Sequence, residues 1–359
     1  MKLFFFYLFI ITFFDSYKCE QLFDVNNATQ PLNTNKIHYN KNTSDFYKEN
    51  LNNNKKKNLI LGAITRYSWE TVAPFFRSLL KANISNYDCV MFVRMISKDV
   101  INKIKECGVI IYQIPEKYQN ESIINIRWKM YFNYLNERKN EYNLVFSADV
   151  RDTIFQKDIF KFYENKGSFL GVPIEDGTLQ EKVNKAWIIE YCGEKLYETI
   201  KHERIICVGT IWGTSDKFME FSNILYNELF KSPKSIEQGV ANFLFYHEKI
   251  FNNCILKSDN YGPVMTIDLT KTANLFLDPQ NNLLNFDNEI AAVVHQYDRK
   301  PHLVNLFKKK FCPELYQDNI KMNIISNTQK IPKRNNYFYF MLYLFTMILI
   351  SKLSFHSYK

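Results

Sequence analysis

Residues Tyr142–Gln156 read YNLVFSADVRDTIFQ. Leu144, Val145 and Phe146 form a short continuous apolar run, the pattern of a strand buried on both faces. The run stops at Asp149-Val150-Arg151-Asp152. Packing does not ask for two carboxylates and a guanidinium at that point, because Asp is almost never fully buried unless it is paired or bound to a metal. In open α/β sheets, ligands bind just beyond the carboxyl ends of the strands. Two acids delivered there could hold a hard divalent cation through oxygen ligands, and that cation could hold a diphosphate. The alternative is a strand-end turn whose acids cap the next helix.

Upstream of this stretch, apolar runs and helical periods alternate. Leu59–Ile64 reads as a first strand, followed by a loop at Thr65-Arg66-Tyr67. Val72, Phe75, Phe76, Leu79 and Leu80 fall at helical spacing within Trp69–Ala82. Strands are predicted at Asp88–Arg94 and Val109–Ile114, and helices at Val100–Cys107 and Ile126–Leu135. Strands that alternate with helices in this way predict a parallel, Rossmann-like α/β sheet. Downstream, Phe155–Phe160 reads as a turn into a short helix and Phe169–Pro173 as a strand. Residues 175–205 are mixed, Ile205–Thr214 is a Gly-punctuated strand or loop, and Phe218–Phe230 and Ser235–His247 are helical. Val264–Asp268 and Ala291–His295 are further short strands. Gly and aromatic residues cluster in this half, which suits site building rather than a second nucleotide-binding unit.

The ends of the chain differ from its middle. Lys2 precedes the apolar run 3–14, which is the layout of a secretory signal peptide at 1–19. The run is short for a membrane span, which needs about 20 residues, so a signal-anchor is the minor alternative. Residues 20–57 are Asn/Lys-rich, polar and without period, and read as a disordered stem. Sequons at Asn27, Asn42, Asn83 and Asn120 fit a lumenal chain. After a linker at 317–336, the segment 337–355 is almost wholly apolar and reads as a membrane segment. An interfacial helix or a removed lipid-anchor signal is the alternative there.

The 359 residues carry a formal net charge of +9. Much of it lies in Lys-rich flanks such as Lys55–Lys57 and Lys308–Lys310, not in a basic stripe on a recognisable module, so no nucleic-acid partner is expected. Of seven Cys, six remain beyond Cys19, and an even number in a lumenal domain suggests disulfides. Cys192 with Cys207 is the first choice because both lie in the irregular segment. No C-x-x-C pair exists, which argues against a zinc site.

Three further places carry candidate chemistry. Glu237-Gln238 opens a helix, where an acid is also favoured by the helix dipole alone. His295-Gln-Tyr-Asp298-Arg299-Lys300-Pro-His302 follows an apolar AAVV and could finish a metal and phosphate site. The glycines of Gly209-Thr-Ile-Trp212-Gly213 either let backbone approach a ligand or mark a tight bend.

Taken in order, these segments resemble a family. SADVRDTIFQKDIF looks like the strand and turn of GT-A glycosyltransferases, in which a D-x-D-type motif ends a central strand. Its D-x-R-D form, followed by F-Q, is similar to that of a group of eukaryotic nucleotide-diphospho-sugar transferases. IRWKMYFNYL resembles the Arg-bearing helix before the acidic motif, GTIWGTSDKFMEF the acceptor-side segment, SIEQGVANFLFY the D-Q helix with Glu237 in place of Asp, and HQYDRKPHL the C-terminal histidine segment. The resemblance spans about Asn58 to Cys312, within a domain drawn at 58–316.

It implies a single GT-A (Rossmann-like) domain with a mixed, mainly parallel central sheet flanked by helices. It also implies a metal-dependent glycosyltransferase using a nucleotide-sugar donor and a glycan, protein or lipid acceptor. Asp149 and Asp152 would bind Mn²⁺ or Mg²⁺ across the diphosphate, and His295 would complete the metal shell. The motif departs from a plain D-x-D, so Arg151 stands where a second acid is usual and Asp152 one residue later. Arg66, Arg127, Arg151, Trp212 and Lys300 are candidate substrate contacts, the cations through phosphate. Glu237, with Gln238, would be an acceptor-side base or orienting group. The expected place is the ER or Golgi membrane, with the domain in the lumen. Two alternatives stay open: a non-catalytic binding protein on a degenerate GT-A fold, and a metal-dependent phosphodiesterase or phosphatase.

Overall fold

The computed structural model describes residues 56–252, 254–267 and 275–316. The expected signal peptide at 1–19, all but the last two residues of the stem at 20–57, the linker at 317–336 and the apolar segment at 337–355 lie outside the described residues. Among the described residues, no helix is long and apolar enough to cross a membrane.

Four strands form the half that the apolar runs predict: β1 (Lys57–Thr65), β2 (Tyr87–Arg94), β3 (Ile110–Gln113) and β4 (Tyr142–Ala148). They lie in the order β3-β2-β1-β4, all parallel. Successive side chains of a strand point to opposite faces, and both faces here are covered. Ile60 and Ile64 of β1 join one core, while Leu59 and Leu61 join the other. Helices α1 (Trp69–Lys81) and α2 (Lys98–Glu106) close the first face, and α3 (Ile123–Glu137) closes the second.

The remaining strands make the sheet mixed. β6 (Leu170–Thr178) and β8 (Thr210–Thr214) continue it past β4, with β8 antiparallel to both neighbours. β7 (Arg204–Ile206) and β9 (Ile255–Ser258) both pair with β6. Six of these eight strands run one way, and β7 and β8 run the other. The expected mixed, mainly parallel α/β sheet between helices is therefore the observed one. Helices α4 (Lys182–Cys192) and α5 (Glu194–Tyr197) fill the segment 175–205. Helices α6 (Ser215–Lys231) and α7 (Glu237–Tyr246) pack beside α3 on the second face, and α8 (Pro301–Phe311) joins α1 on the first.

A small second sheet, β10 (Val264–Thr266), β11 (Val293–His295) and β5 (Thr153–Phe155), places the C-terminal histidine segment. The expected turn at Phe155–Phe160 begins on the last residue of β5. β5 is three residues long and forms only because β11 pairs with it antiparallel, Thr153 opposite His295. That pairing spans most of the domain's sequence and leaves no local signal.

The expected Cys192–Cys207 disulfide is not formed. Cys89, Cys107, Cys192, Cys207, Cys254 and Cys312 are all free thiols. Cys192 ends α4 with its side chain toward the Gly193 carbonyl, whereas Cys207 is buried beside His295. Of the sequons, Asn83 and Asn120 are both exposed.

Candidate metal centre

Strand order reverses at β1. The chain steps outward to β2 and β3, then returns to place β4 on the other side of β1. Such a switch point leaves a crevice at the carboxyl ends of the strands. A pocket of about 300 Å³ lies there, walled by Ala63 and Thr65 at the end of β1, Tyr67 beyond it, Arg127 on α3, and Asp149, Arg151 and Asp152 after β4.

Asp149 leaves β4 opposite the loop between β7 and β8, and its backbone N–H donates to the Gly209 carbonyl at 2.7 Å. Asp152 is buried at the start of β5, and His295 is buried at the end of β11. The β5–β11 pairing brings the two together: His295 Nε2 lies 3.7 Å from Asp152 Oδ1 and 3.9 Å from Asp149 Oδ2. One ligand atom from each of the three residues falls within 4.8 Å of the others.

Two of those atoms, Asp152 Oδ1 and His295 Nε2, are buried with no hydrogen-bond partner. Buried polar atoms are nearly always satisfied, and a pair left unsatisfied asks for an explanation, a bound ion among them. Two carboxylates and one imidazole are a donor set that suits a divalent cation. Burial raises the Asp152 carboxyl above its usual range, with His295 beside it pulling the other way. The Gly209–Gly213 segment serves two purposes. A Cβ at 209 would lie 2.3 Å from His295 Cε1 and 2.9 Å from Asp149 Oδ2, so a glycine is required for the ring to lie against the loop. A Cβ at 213 would lie 2.5 Å from the Phe169 carbonyl, so Gly213 lets β8 approach β6.

A buried charge relay stands behind Asp149. Arg127 projects from α3 and ion-pairs with Asp149 through Nη1. Its other edge grips Glu237, with Nη2 2.6 Å from Oε1 and Nε 3.1 Å from Oε2. Trp128 Nε1 donates to the same Glu237 Oε2. Burial pushes the Glu237 carboxyl up to about 7, and Arg127 and the Trp128 hydrogen bond oppose that shift. Burial works against the Arg127 charge, yet Glu237 and Asp149 together hold its pKa well above the ordinary value.

The other expected site residues divide. Arg151 lines the pocket and pairs with Asp152 at 3.0 Å and Asp298 at 3.3 Å. Glu237 is buried with both oxygens engaged, so its carboxylate does not face an acceptor as a base would. Gln238 reaches α4, donating to Asn184 Oδ1 at 2.9 Å, rather than the pocket. Trp212 lies away from the pocket. It is 2% exposed and stacks on Phe146 within the first core. The pairing of Trp212 with Phe146 across β8 and β4 sets which way the indole points. Arg66 takes a left-handed backbone conformation (φ 56°) and turns outward toward Met95 Sδ. Lys300 precedes α8 and is not among the residues lining the pocket, and His302 is exposed on that helix. Tyr67 lines the pocket and Cys207 lies beside His295, and neither carries a sequence signal for that place. Tyr67 follows the first strand and gives no motif; Cys207 was assigned elsewhere.

Fold and site together define an α/β protein with a candidate divalent-cation centre at the switch point of its sheet. No protein-family model matches the chain, and no curated protein matches it in sequence. Among solved structures, the chain is similar to an active-site mutant of LgtC, with 12% identity over 70% of this chain and 94% of that one, at a TM-score of 0.47. It is also similar to galactosyltransferase LgtC in complex with donor and acceptor sugar analogues, with 13% identity over 70% and 94% of the two chains, at a TM-score of 0.45. Likenesses at this level say nothing of shared chemistry, so the site stands on its own geometry.

Proposed function

We propose that the chain is a metal-dependent glycosyltransferase that takes a sugar from a nucleotide-diphosphate donor and passes it to a glycan, protein or lipid acceptor. The observation that carries the reading is the orphaned pair, Asp152 Oδ1 and His295 Nε2, facing Asp149 at the edge of the switch-point pocket.

Asp149, Asp152 and His295 would hold Mn²⁺ or Mg²⁺. When bound, such a cation neutralises charge that develops on a nucleoside-diphosphate leaving group. Arg151, fixed between Asp152 and Asp298, offers its remaining N–H groups to the same phosphates from the pocket wall. Tyr67 gives the pocket an aromatic wall beside them. Arg127 fixes Asp149 in place, and Glu237 holds Arg127 by both edges of its carboxylate; this is a positioning role. In this reading the chain works in the ER or Golgi lumen, held at the membrane by a terminal apolar segment.

The test is a melting-temperature screen against nucleoside diphosphates, with and without Mn²⁺. A ligand that binds only the folded state raises Tm by mass action, by an amount worth roughly 2.7 kcal/mol at a hundred times its Kd. A rise for one nucleotide, seen only with Mn²⁺, is the expected result. A folded sample that no nucleotide stabilises, with or without metal, would sink the donor assignment and favour the non-catalytic alternative.

A further inference from the structure

We propose that Arg94 is a positioning residue for the pocket: its guanidinium clamps the turn at 118–121, so that the first residues of α3 stand as a fixed wall for the nucleotide. The inference deepens the reading of the pocket as a nucleoside-diphosphate site and rests on it.

Arg94 is the last residue of β2 and lies opposite Thr65 of β1 in parallel register. Thr65 forms one part of the pocket wall, and Ile123 and Ile124, which open α3, form another. The chain between β3 and α3 leads up to that second part. It starts against β2, where the Ile114 N–H donates to the Val93 carbonyl at 3.0 Å. It then makes a single 3₁₀ turn at Glu116–Tyr118. Arg94 Nη1 reaches across to this segment and donates to three carbonyls, those of Tyr118 and Gln119 at 2.9 Å and that of Glu121 at 2.8 Å.

Three carbonyl oxygens gathered at one point carry partial negative charge and need a donor there, and a charged donor serves best. Ser122 gives the N-terminus of α3 no side-chain cap, and the first turn of the helix holds no acid. Further along, α3 is held from the other side. Asn125 Nδ2 donates to the Ser235 carbonyl at 3.1 Å, and Arg127 grips Glu237 at the start of α7. The reach of Arg94 is thus the stretch before Asn125, which includes Ile123 and Ile124. Asp149, Asp152 and His295 stand after β4, before β5 and on β11, outside that stretch. Loss of the clamp should therefore weaken the nucleotide and spare the cation. A wall in place for only a fraction of the time lowers apparent affinity by that fraction.

The experiment uses the whole folded protein as wild type, Arg94→Met and Arg94→Lys. Methionine removes the donors, whereas lysine keeps a cation with three donors on a shorter reach. The first readout is amide hydrogen exchange without ligands. The Tyr118, Gln119 and Glu121 amides, each hydrogen-bonded within the turn, are expected to exchange about tenfold faster in Arg94→Met, with β4 amides unchanged. The second readout is calorimetry, with Mn²⁺ alone and with uridine, guanosine, cytidine and adenosine diphosphates in the presence of Mn²⁺. For the tightest of these, Kd should rise about tenfold in Arg94→Met and about threefold in Arg94→Lys, while the Kd for Mn²⁺ alone stays at its wild-type value. An unchanged nucleotide Kd in Arg94→Met overturns the proposal. So does a loss shared equally by nucleotide and Mn²⁺, or exchange in the turn that keeps its wild-type rate. Wild-type protein that binds Mn²⁺ but none of the four nucleotides, with the turn loosened in Arg94→Met, would sink the donor reading and leave the clamp standing.

Discussion

Asp152→Ala raises the Kd for Mn²⁺ by roughly 100-fold or more, a larger loss than removing an outer partner of a ligand produces. Asp152 is 3% exposed, and its Oδ1 has no partner except what would sit between it and His295. Its other oxygen is held by Arg151, which also binds Asp298, so the carboxylate cannot swing to another position at low cost. Removing it leaves one carboxylate and one imidazole, a weak set for a hard cation. Asp149→Ala should abolish Mn²⁺-dependent donor binding as well, with the fold intact, because Asp149 is the more exposed of the two acids. Calorimetric titration with Mn²⁺, paired with a circular-dichroism spectrum, reads both outcomes. A wild-type Kd in either variant would remove that residue from the centre.

The second large effect is on stability. Arg127→Met should cost about 3–5 kcal/mol, because it leaves the buried Glu237 carboxylate and Asp149 without their shared cation. In a domain of this size that is a fall in Tm of roughly 6–20 °C. Breaking one side of a buried pair is far more damaging than replacing both, since the cost comes from the uncompensated charge. Adding Glu237→Leu to Arg127→Met should therefore recover a large part of the lost Tm. It should not recover Mn²⁺ affinity, because Asp149 would still lack the guanidinium that holds it. Single and double variants with equal Tm would show that Glu237 is not charged against Arg127 in the native state. The two readouts thus separate holding the fold from holding the ligand.

The first four strands and α1 to α3 were legible because each carries its own periodicity. Leu59–Ile64 and Leu144–Phe146 are apolar on both faces, and Trp69–Lys81 and Ile126–Leu135 repeat at helical spacing. The short elements were not. β5 and β9 hold three and four residues and exist through partners far away in sequence. At the site, Asp149 and Asp152 stand out because a hydrophobic strand has no use for such ends, and His295 because it opens a cluster of histidines, an acid and cations after an apolar run. The structure adds what brings His295 to them, the pairing of Thr153 with His295.

The misplaced residues share a cause. In a strand, a shift of one residue turns a side chain to the opposite face. Trp212 looked like a ligand platform between two glycines, but its register against Phe146 buries it. Glu237 at a helix start reads as a base, an orienting carboxylate or a dipole-favoured acid, and its actual surroundings come from α3, more than a hundred residues earlier. Arg66 follows the right strand but sits in a left-handed turn that sends it outward. Burial and partner are tertiary properties, and no local pattern encodes them.

In the proposed centre, Asp149, Asp152 and His295 form one cation site beside a diphosphate pocket. A manganese-edge anomalous difference map, from crystals grown with Mn²⁺ and a nucleoside diphosphate, tests it most directly. One strong peak bounded by Asp149, Asp152 and His295 Nε2, with phosphate density on its pocket side near Arg151, is the expected result. A map with no peak there, or with manganese bound only elsewhere on the surface, would contradict it.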